Sequence, residues 1–270
     1  MNQINFSKFH GFGNDYIVIL AEELRTISDL DGFSKRICHR NSGVGGDGIA
    51  VLRKLEMGAD YECRIINPDG SEAGFSGNGT RCAVALLYYA NLFAGENLKL
   101  STKSGVKNYQ FLSRKDNTFW FLAELGKPSE VKSKKLKIKN YEEEFSVVTL
   151  DVGNPVCVFF VEDFDAIDWR EIGRETESHE HFPNRTNVVF VKIVDAQNIE
   201  IRIWERGAGE TSSSGTCSIA AAVAANFAEK SGKKVFVHAE GGTTETVWRE
   251  DGEMMITGRA DLAFTGEYFG

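Results

Sequence analysis

The sequence predicts an α+β protein of two pseudo-symmetric halves, each a barrel-like, mostly antiparallel sheet around one central helix. Three observations lead there. Two stretches share one offset of about half the chain. Arg64-Ile65-Ile66-Asn67 runs through a glycine-containing turn to Glu72 and Ser76-Gly77, and Arg202-Ile203-Trp204-Glu205 runs through another to Glu210 and Ser214-Gly215. The segments that follow, Gly79 to Leu92 and Thr216 to Ala228, are apolar nearly all round, as a helix buried on every side must be. Short strand patterns bounded by turn residues surround both. The repeat is far longer than a solenoid period, so a duplicated domain fits better than an array.

In order along the chain, Phe6 to Ile19 alternates, breaks at Gly11-Phe12-Gly13-Asn14-Asp15 and resumes at Tyr16, which reads as strand, tight turn, strand. Ser28 is a candidate cap for a helix through about His39, with Leu30, Phe33, Ile37 and Cys38 on one face. Gly43 to Gly48 (GVGGDG) is a glycine-dense loop before a strand at Ile49. Because it precedes a strand and not a helix, it is no dinucleotide fingerprint. Tyr61 to Ile66 is the next strand, and Leu98 to Leu125 supplies more. The second half repeats the order: a strand over Val147 to Val152, the Gly153-Asn154 turn, a strand from Val156, a helix over Phe164 to Glu175, a polar loop from Phe182 to Asn187, and strands at Val188 and Ile199. Lys233 to Gly258 adds the rest. The hydrophobic rhythm pauses near Glu124 to Val131, which divides the chain into 1–126 and 127–270. Leu262 to Phe269 is a final strand and a candidate to return to the first half.

Composition narrows the function. At 270 residues, 42% hydrophobic and 26% charged, the chain has the apolar mass for a real core. A net charge of −8 argues against a nucleic-acid partner. The lysine cluster Lys132 to Lys139 alternates with apolar residues and reads as a solvated edge or hairpin. No basic-then-apolar leader and no membrane-length apolar run are visible. The five cysteines, Cys38, Cys63, Cys82, Cys157 and Cys217, fall in no metal-binding spacing. Buried, reduced thiols in a cytoplasmic protein without a metal are the expectation. The expected partner is a small molecule, with no membrane and with a homodimer compatible with the sequence.

The chemistry concentrates at the two Ser-Gly helix starts. Helix N-terminal N–H groups lack internal partners and favour an anion, and glycine lets a ligand approach the backbone. Gly77 and Asn78 in one copy, and Gly215 and Thr216 in the other, are therefore candidate carboxylate binders. Ser76 or Ser214 alone would read as a plain N-cap. Their duplication behind matching polar turns favours a site. Glu205 and Arg206 are candidates for a substrate ammonium and carboxylate. Asn14, Asn67, Asn154 and Asn187 stand at strand-to-loop junctions in matching places and are candidates for hydrogen bonds to a polar substrate. His179 and His181 read as surface residues, and His10 is ambiguous.

These motifs resemble the diaminopimelate epimerase family along essentially the whole chain. The resemblance rests on Phe9 to Asp15, Gly43 to Gly48, Asn67 to Ala73, Gly77 to Cys82, Gly153-Asn154-Pro155, Pro183 to Asn187 and Glu205 to Thr211, in family order. It implies two mirrored halves with the active site in the cleft between them. It implies a cofactor-independent epimerase of lysine and peptidoglycan-precursor synthesis, in which paired cysteines remove and return an α-proton. In this sequence those catalytic positions fall at Ser76 and Ser214. The family histidine after Gly-Asn-Pro is Val156, and Cys217 takes a place usually held by glycine. Serine is a far weaker acid than cysteine, whose ordinary pKa is about 8.5. Three functions follow. The chain is an epimerase acting through the Ser76 and Ser214 positions. It is an isomerase of another carbon acid with Asp69, Glu72, Glu205 or Glu210 as base. Or it is a non-catalytic amino-acid-binding or inactivated relative.

Overall fold

The computed structural model describes residues 3–269. The chain forms two units, one running up to Ala123 and resuming at Gly258, the other comprising Glu124–Thr257. In the first half of the sequence lie β1 (Gln3–Gly11), β2 (Asn14–Leu20), α1 (Leu30–Ile37), β3 (Gly48–Lys54), β4 (Tyr61–Ile66), β5 (Glu72–Ala73), α2 (Gly77–Tyr89), β6 (Asn97–Thr102), β7 (Gly105–Lys115) and β8 (Thr118–Gly126). There follow β9 (Ser129–Lys137), β10 (Glu144–Asp151), β11 (Pro155–Phe160), α3 (Trp169–Glu177), β12 (Asn187–Ile193), β13 (Asn198–Glu205), β14 (Gly209–Thr211), α4 (Gly215–Phe227), β15 (Lys234–Ala239), β16 (Gly242–Trp248) and β17 (Met254–Phe269).

Both units are wired alike. In the first, β1 and β2 form an antiparallel hairpin, β2 runs parallel to β3, β3 antiparallel to β4, β4 parallel to β6, and β6 antiparallel to β7. A parallel pair needs a crossover, and α1 and α2 supply the two. β17 lies antiparallel to β1 and also pairs with β8, closing an eight-stranded barrel around α2. Its Leu262 N–H donates to the Asn117 carbonyl at 2.9 Å. The second unit repeats the series: β10 with β11, β11 parallel to β12, β12 with β13, β13 parallel to β15, β15 with β16, and β16 with β17. Beside β10, the place that β17 takes beside β1 is filled by β9.

The strands are apolar on both faces because both are covered. Ile49, Ala50, Val51 and Leu52 of β3 are all buried. On one side Phe33 and Ile37 of α1 pack with Ile17, Ile49 and Ile66. Cys82 to Leu87 of α2 are buried as well. A central helix inside a closed sheet has no wet face, which accounts for the missing polar stripe. In the second unit α3 packs Trp169 and Ile172 with Phe159, Val188 and Phe190. The run Ala220-Ala221-Ala222 in α4 combines the best helix former with side chains small enough for an enclosed helix.

Two expectations need correction. The first helix is capped by Asp29, not Ser28: the Asp29 carboxylate accepts from the Gly32 N–H at 2.9 Å. The segment 164–175 is not one helix. A short 3₁₀ turn spans Phe164–Ala166, Ile167 is extended, and Asp168 restarts the chain as α3 by accepting from the Glu171 N–H at 3.0 Å. Asp163 caps the first turn and Asp168 the helix, so two capping aspartates specify two starts. The lysine-rich segment is the exposed strand β9, paired with β10. Among the described residues, no helix is long and apolar enough to cross a membrane.

Candidate functional site

In the first unit β1 turns into β2 through Phe12 and Gly13, at φ 55° and 91°. That left-handed pair is the backbone of a tight hairpin, and it places Asn14 at the head of β2. The Asn14 amide is fixed from both ends. Its nitrogen donates to Asp47 Oδ2 at 2.7 Å, and its oxygen accepts from Asn78 Nδ2 at 3.2 Å. Asn78 Oδ1 in turn accepts from Arg81, whose Nε donates to the Arg259 carbonyl at 2.9 Å. The Arg81 guanidinium is buried, and burial lowers its pKa. Asp47 also accepts from the Asp15 N–H at 3.0 Å.

A cluster of charges stands behind this amide chain. The buried Lys8 ammonium is 2.6 Å from Asp15, and Arg40 bridges Asp15 and Asp47 at 2.8 and 2.7 Å. Burial pushes the Asp15 carboxyl up, but hydrogen bonds from Arg40, Lys8 and Asp47 outweigh it and lower the pKa to about 2. Asp47 moves the other way, raised by burial and by the neighbouring Asp15 charge.

Asn67 ends β4. Its amide donates to Ser71 Oγ at 3.0 Å, and its N–H donates to the Ser71 carbonyl. Asp69 closes the same turn by accepting from the Ser71 hydroxyl at 2.6 Å, which lowers its pKa. Glu72 is held by Arg64 in a two-point ion pair at 3.1 and 3.0 Å, and that pairing lowers its pKa. Ser76 is the N-cap of α2, with Gly77 and Asn78 buried beneath it. Its Oγ accepts from the Gly79 N–H at 3.1 Å and lies 2.9 Å from the Tyr16 hydroxyl.

The second unit builds the same frame with different contacts. Gly153 (φ 91°) makes the turn after β10, its N–H donating to Asp151 at 2.7 Å, and the half-buried Asn154 follows. Asn187 opens β12: its nitrogen donates to the Pro155 carbonyl at 3.2 Å and its oxygen accepts from the Arg206 N–H at 2.9 Å. The Arg206 guanidinium donates to the Asn184 carbonyl at 3.1 Å. Glu205 is half-buried at the end of β13. Glu210 is taken by Arg170 at 2.7 Å and its pKa is lowered by that bond, while Arg202 pairs with Glu240 at 3.2 Å. The Arg–Glu pair that is local in the first copy is thus exchanged for two others in the second.

Ser214 is the residue before α4, but its side chain makes no capping bond. Its Oγ is 3.4 Å from Thr216 Oγ1. Gly215 and Thr216 are buried in the first turn. Cys217 is fully buried, as are the other four cysteines, and burial pushes its thiol far above the ordinary range. Among the described residues no cluster of His, Cys, Asp and Glu could hold a metal ion. The half-buried His179 and the exposed His181 meet edge to face.

Sequence reasoning missed three organising residues. Asp47 sits in the glycine-dense loop Gly43 to Gly48, where the glycines and not the acid carry the pattern. Tyr16 reads as an ordinary strand residue. Glu177 is a buried carboxylate at the C-terminal end of α3; it accepts from Trp204 Nε1 at 2.8 Å and the Gly207 N–H at 2.9 Å, and it faces Arg185 at 3.2 Å. It thereby anchors the Glu205-Arg206-Gly207 loop. An acid in the last turn of a helix opposes the helix dipole, and that was its available signal.

A duplicated barrel with a buried helix in each copy also describes the solved phenazine biosynthesis protein of the PhzF family from Bacillus anthracis. It matches at a TM-score of 0.75 and 18% identity, covering 100% of both chains. The hydroxyproline epimerase from Agrobacterium vitis, solved with bound trans-4-hydroxy-L-proline, matches at 0.74 and 14%, covering 99% of this chain and 92% of that one. The fold class is therefore one that includes amino-acid epimerases. In sequence, the family model described as diaminopimelate epimerase matches residues 6–131 and 148–263. The diaminopimelate epimerase of Moorella thermoacetica is 34% identical over 279 residues, covering 98% of this chain and 99% of its own. The chain belongs to the diaminopimelate epimerase family and is an isomerase of the amino-acid epimerase and racemase type.

Proposed function

We propose that the chain is a cofactor-independent epimerase of an amino acid, with diaminopimelate as the first candidate substrate. Ser76 and Ser214 stand at the two proton-handling positions, and the first turns of α2 and α4 bind the α-carboxylate and the carbanionic charge that develops beside it. Asn14, Asn67, Asn154, Asn187, Glu205 and Arg206 complete the polar shell. The observation that carries this reading is the doubling. Each unit independently builds a strand, a glycine turn and a serine ahead of a buried helix.

The carboxylate-base alternative is weakened by the ion pairs. Glu72 and Glu210 are each neutralised by an arginine and held below the ordinary range, as is Asp69 by Ser71. A depressed pKa makes a poor base.

The test is deuterium incorporation at the α-carbon of diaminopimelate in D₂O, for the wild type and for the Ser76→Cys/Ser214→Cys double variant. Exchange by the wild type, accelerated by the two thiols, is the expected result. Calorimetric binding without exchange in either protein would leave an amino-acid-binding relative. Neither binding nor exchange would remove diaminopimelate as the substrate.

A further inference from the structure

The ring of Tyr16 lies in a cradle that two glycines make. A Cβ on Gly79 would stand 2.8 Å from one Tyr16 ring carbon and 3.0 Å from another. A Cβ on Gly48 would stand 3.1 Å from the same edge and 2.8 Å from the Ile66 carbonyl oxygen. Contacts this short force a neighbour to move, and a buried aromatic ring has little room to do so. Gly48 closes the glycine-dense loop and is the register partner of Tyr16 across β2 and β3. Gly79 is in the first turn of α2. Two separated motifs therefore leave space for one phenol, and that phenol ends 2.9 Å from Ser76 Oγ.

The second unit lacks all three parts. The residue following Gly153-Asn154-Pro155 is Val156, where Gly13-Asn14-Asp15 is followed by Tyr16. The register partner of Val156 is Asn187, where that of Tyr16 is Gly48. Three residues past Ser214 comes Cys217, where three past Ser76 comes Gly79. The phenol and both of its glycines are absent together.

We infer that Tyr16 is the proton partner of Ser76, so that position 76 exchanges protons as a tyrosine–serine relay while Ser214 has no such partner. When Ser76 gives its proton to a carbanion, the new C–H bond forms as the Ser76 O–H breaks. Ser76 Oγ takes the Tyr16 proton, and Tyr16 is left as a phenolate that solvent reprotonates. Proton removal is the same step reversed. The relay replaces an aliphatic alcohol as the proton source by a phenol, whose ordinary pKa is about 10. Ser76 Oγ already accepts the Gly79 N–H, so two donors converge on the oxygen when it carries charge. Tyr16 acts through Ser76 and is a positioning and relay residue. Assigning Ser76 a substrate rests on the function proposed above, whereas the coupling of the two side chains does not.

The experiment separates the two. In Ser76→Cys the introduced thiol is half-exposed, and the five native cysteines are buried. Alkylation at pH 7, with the labelled site identified by mass spectrometry, therefore reads the thiolate at that position. A hydrogen bond to a charged acceptor is among the stronger ones, so Ser76→Cys/Tyr16→Phe is expected to react about tenfold more slowly than Ser76→Cys. Equal rates overturn the inference. In the native background, Tyr16→Phe keeps the ring in its cradle and removes only the hydroxyl. It is expected to lower α-deuterium exchange by about 100-fold with KM unchanged. Adding Tyr16→Phe to Ser76→Ala is expected to cost nothing more, and independent, multiplying losses overturn the relay. Slower alkylation in a protein that exchanges no substrate deuterium would sustain the Tyr16–Ser76 coupling and refute the proposed reaction.

Discussion

Replacing Asp15 by asparagine removes the anion between a buried ammonium and an exposed guanidinium. Lys8 and Asp15 are 7% and 16% exposed at the side chain and 2.6 Å apart, whereas Arg40 is 60% exposed. The Asp15 pKa falls from 3.8 to about 2. That difference corresponds to about 2 kcal/mol of stability at neutral pH. The sign follows from the direction of the shift. A depressed carboxylate pKa contributes fully above the unfolded value and is lost as the pH falls through the folded one. The Asp15→Asn variant is therefore expected to unfold about 2 kcal/mol more easily at pH 7. The gap should narrow from about pH 4 down to about pH 2. Lys8 keeps its hydrogen bond to the Gly45 carbonyl in the variant, so the loss stays near that figure and below the about 3–5 kcal/mol of a wholly uncompensated buried charge. Urea unfolding followed by circular dichroism at several pH values measures both the size and the window. Equal stability at pH 7, or a gap that persists undiminished at pH 2, would refute the argument. The same variant perturbs the hydrogen-bond chain from Asp47 through Asn14 to Asn78 and is expected to weaken ligand binding.

Two further expectations concern packing. Gly79→Ala drives a methyl into the Tyr16 ring and Ile65 at under 3 Å; it should destabilise the protein by about 1–3 kcal/mol, read as a fall in Tm, and Gly232→Ala, whose nearest neighbour would be 3.6 Å away at an ordinary backbone angle, serves as the uncrowded comparison. Glu177→Ala strands the Trp204 indole N–H and the Gly207 N–H and should cost about 2–4 kcal/mol, with a changed Trp204 emission spectrum; an unaltered Tm would show that the loop does not depend on this carboxylate.

The duplicated barrel was legible because its physics is repetitive. Helices α2 and α4 carry no polar stripe, and only an enclosed helix tolerates that. Strands such as β3 are apolar on successive residues, which signals cover on both faces. Asn14, Asn187 and Ser76 could be placed because each stands at a chain reversal that its neighbours specify. The contacts of these residues could not be read in the same way. Nothing local to Asn14 announces Asp47, 33 residues away in sequence, and nothing local to Tyr16 announces that Gly48 and Gly79 are kept open for its ring. The Arg64–Glu72 pair invites the inference of an equivalent Arg202–Glu210 pair, yet Arg170 and Glu240 intervene from other segments. Long-range partners decide electrostatics, and sequence repeats report only the frame on which they meet.

The strand that closes the first barrel has a consequence for how the protein is made. β1 through β7 are complete by Lys115, but the partner of β1 is the distal part of β17, where Gln3 faces Phe269. At ribosomal speeds of roughly 5–20 residues per second, the intervening chain takes on the order of ten seconds to appear. Throughout that interval the outer edge of β1 presents unpaired backbone groups, the arrangement that invites pairing with another chain. The N-terminal barrel is thus the first to be synthesised and the last to be sealed. Synthesis that stops before Gly258 leaves it open, so the yield of native protein depends on the arrival of its final strand.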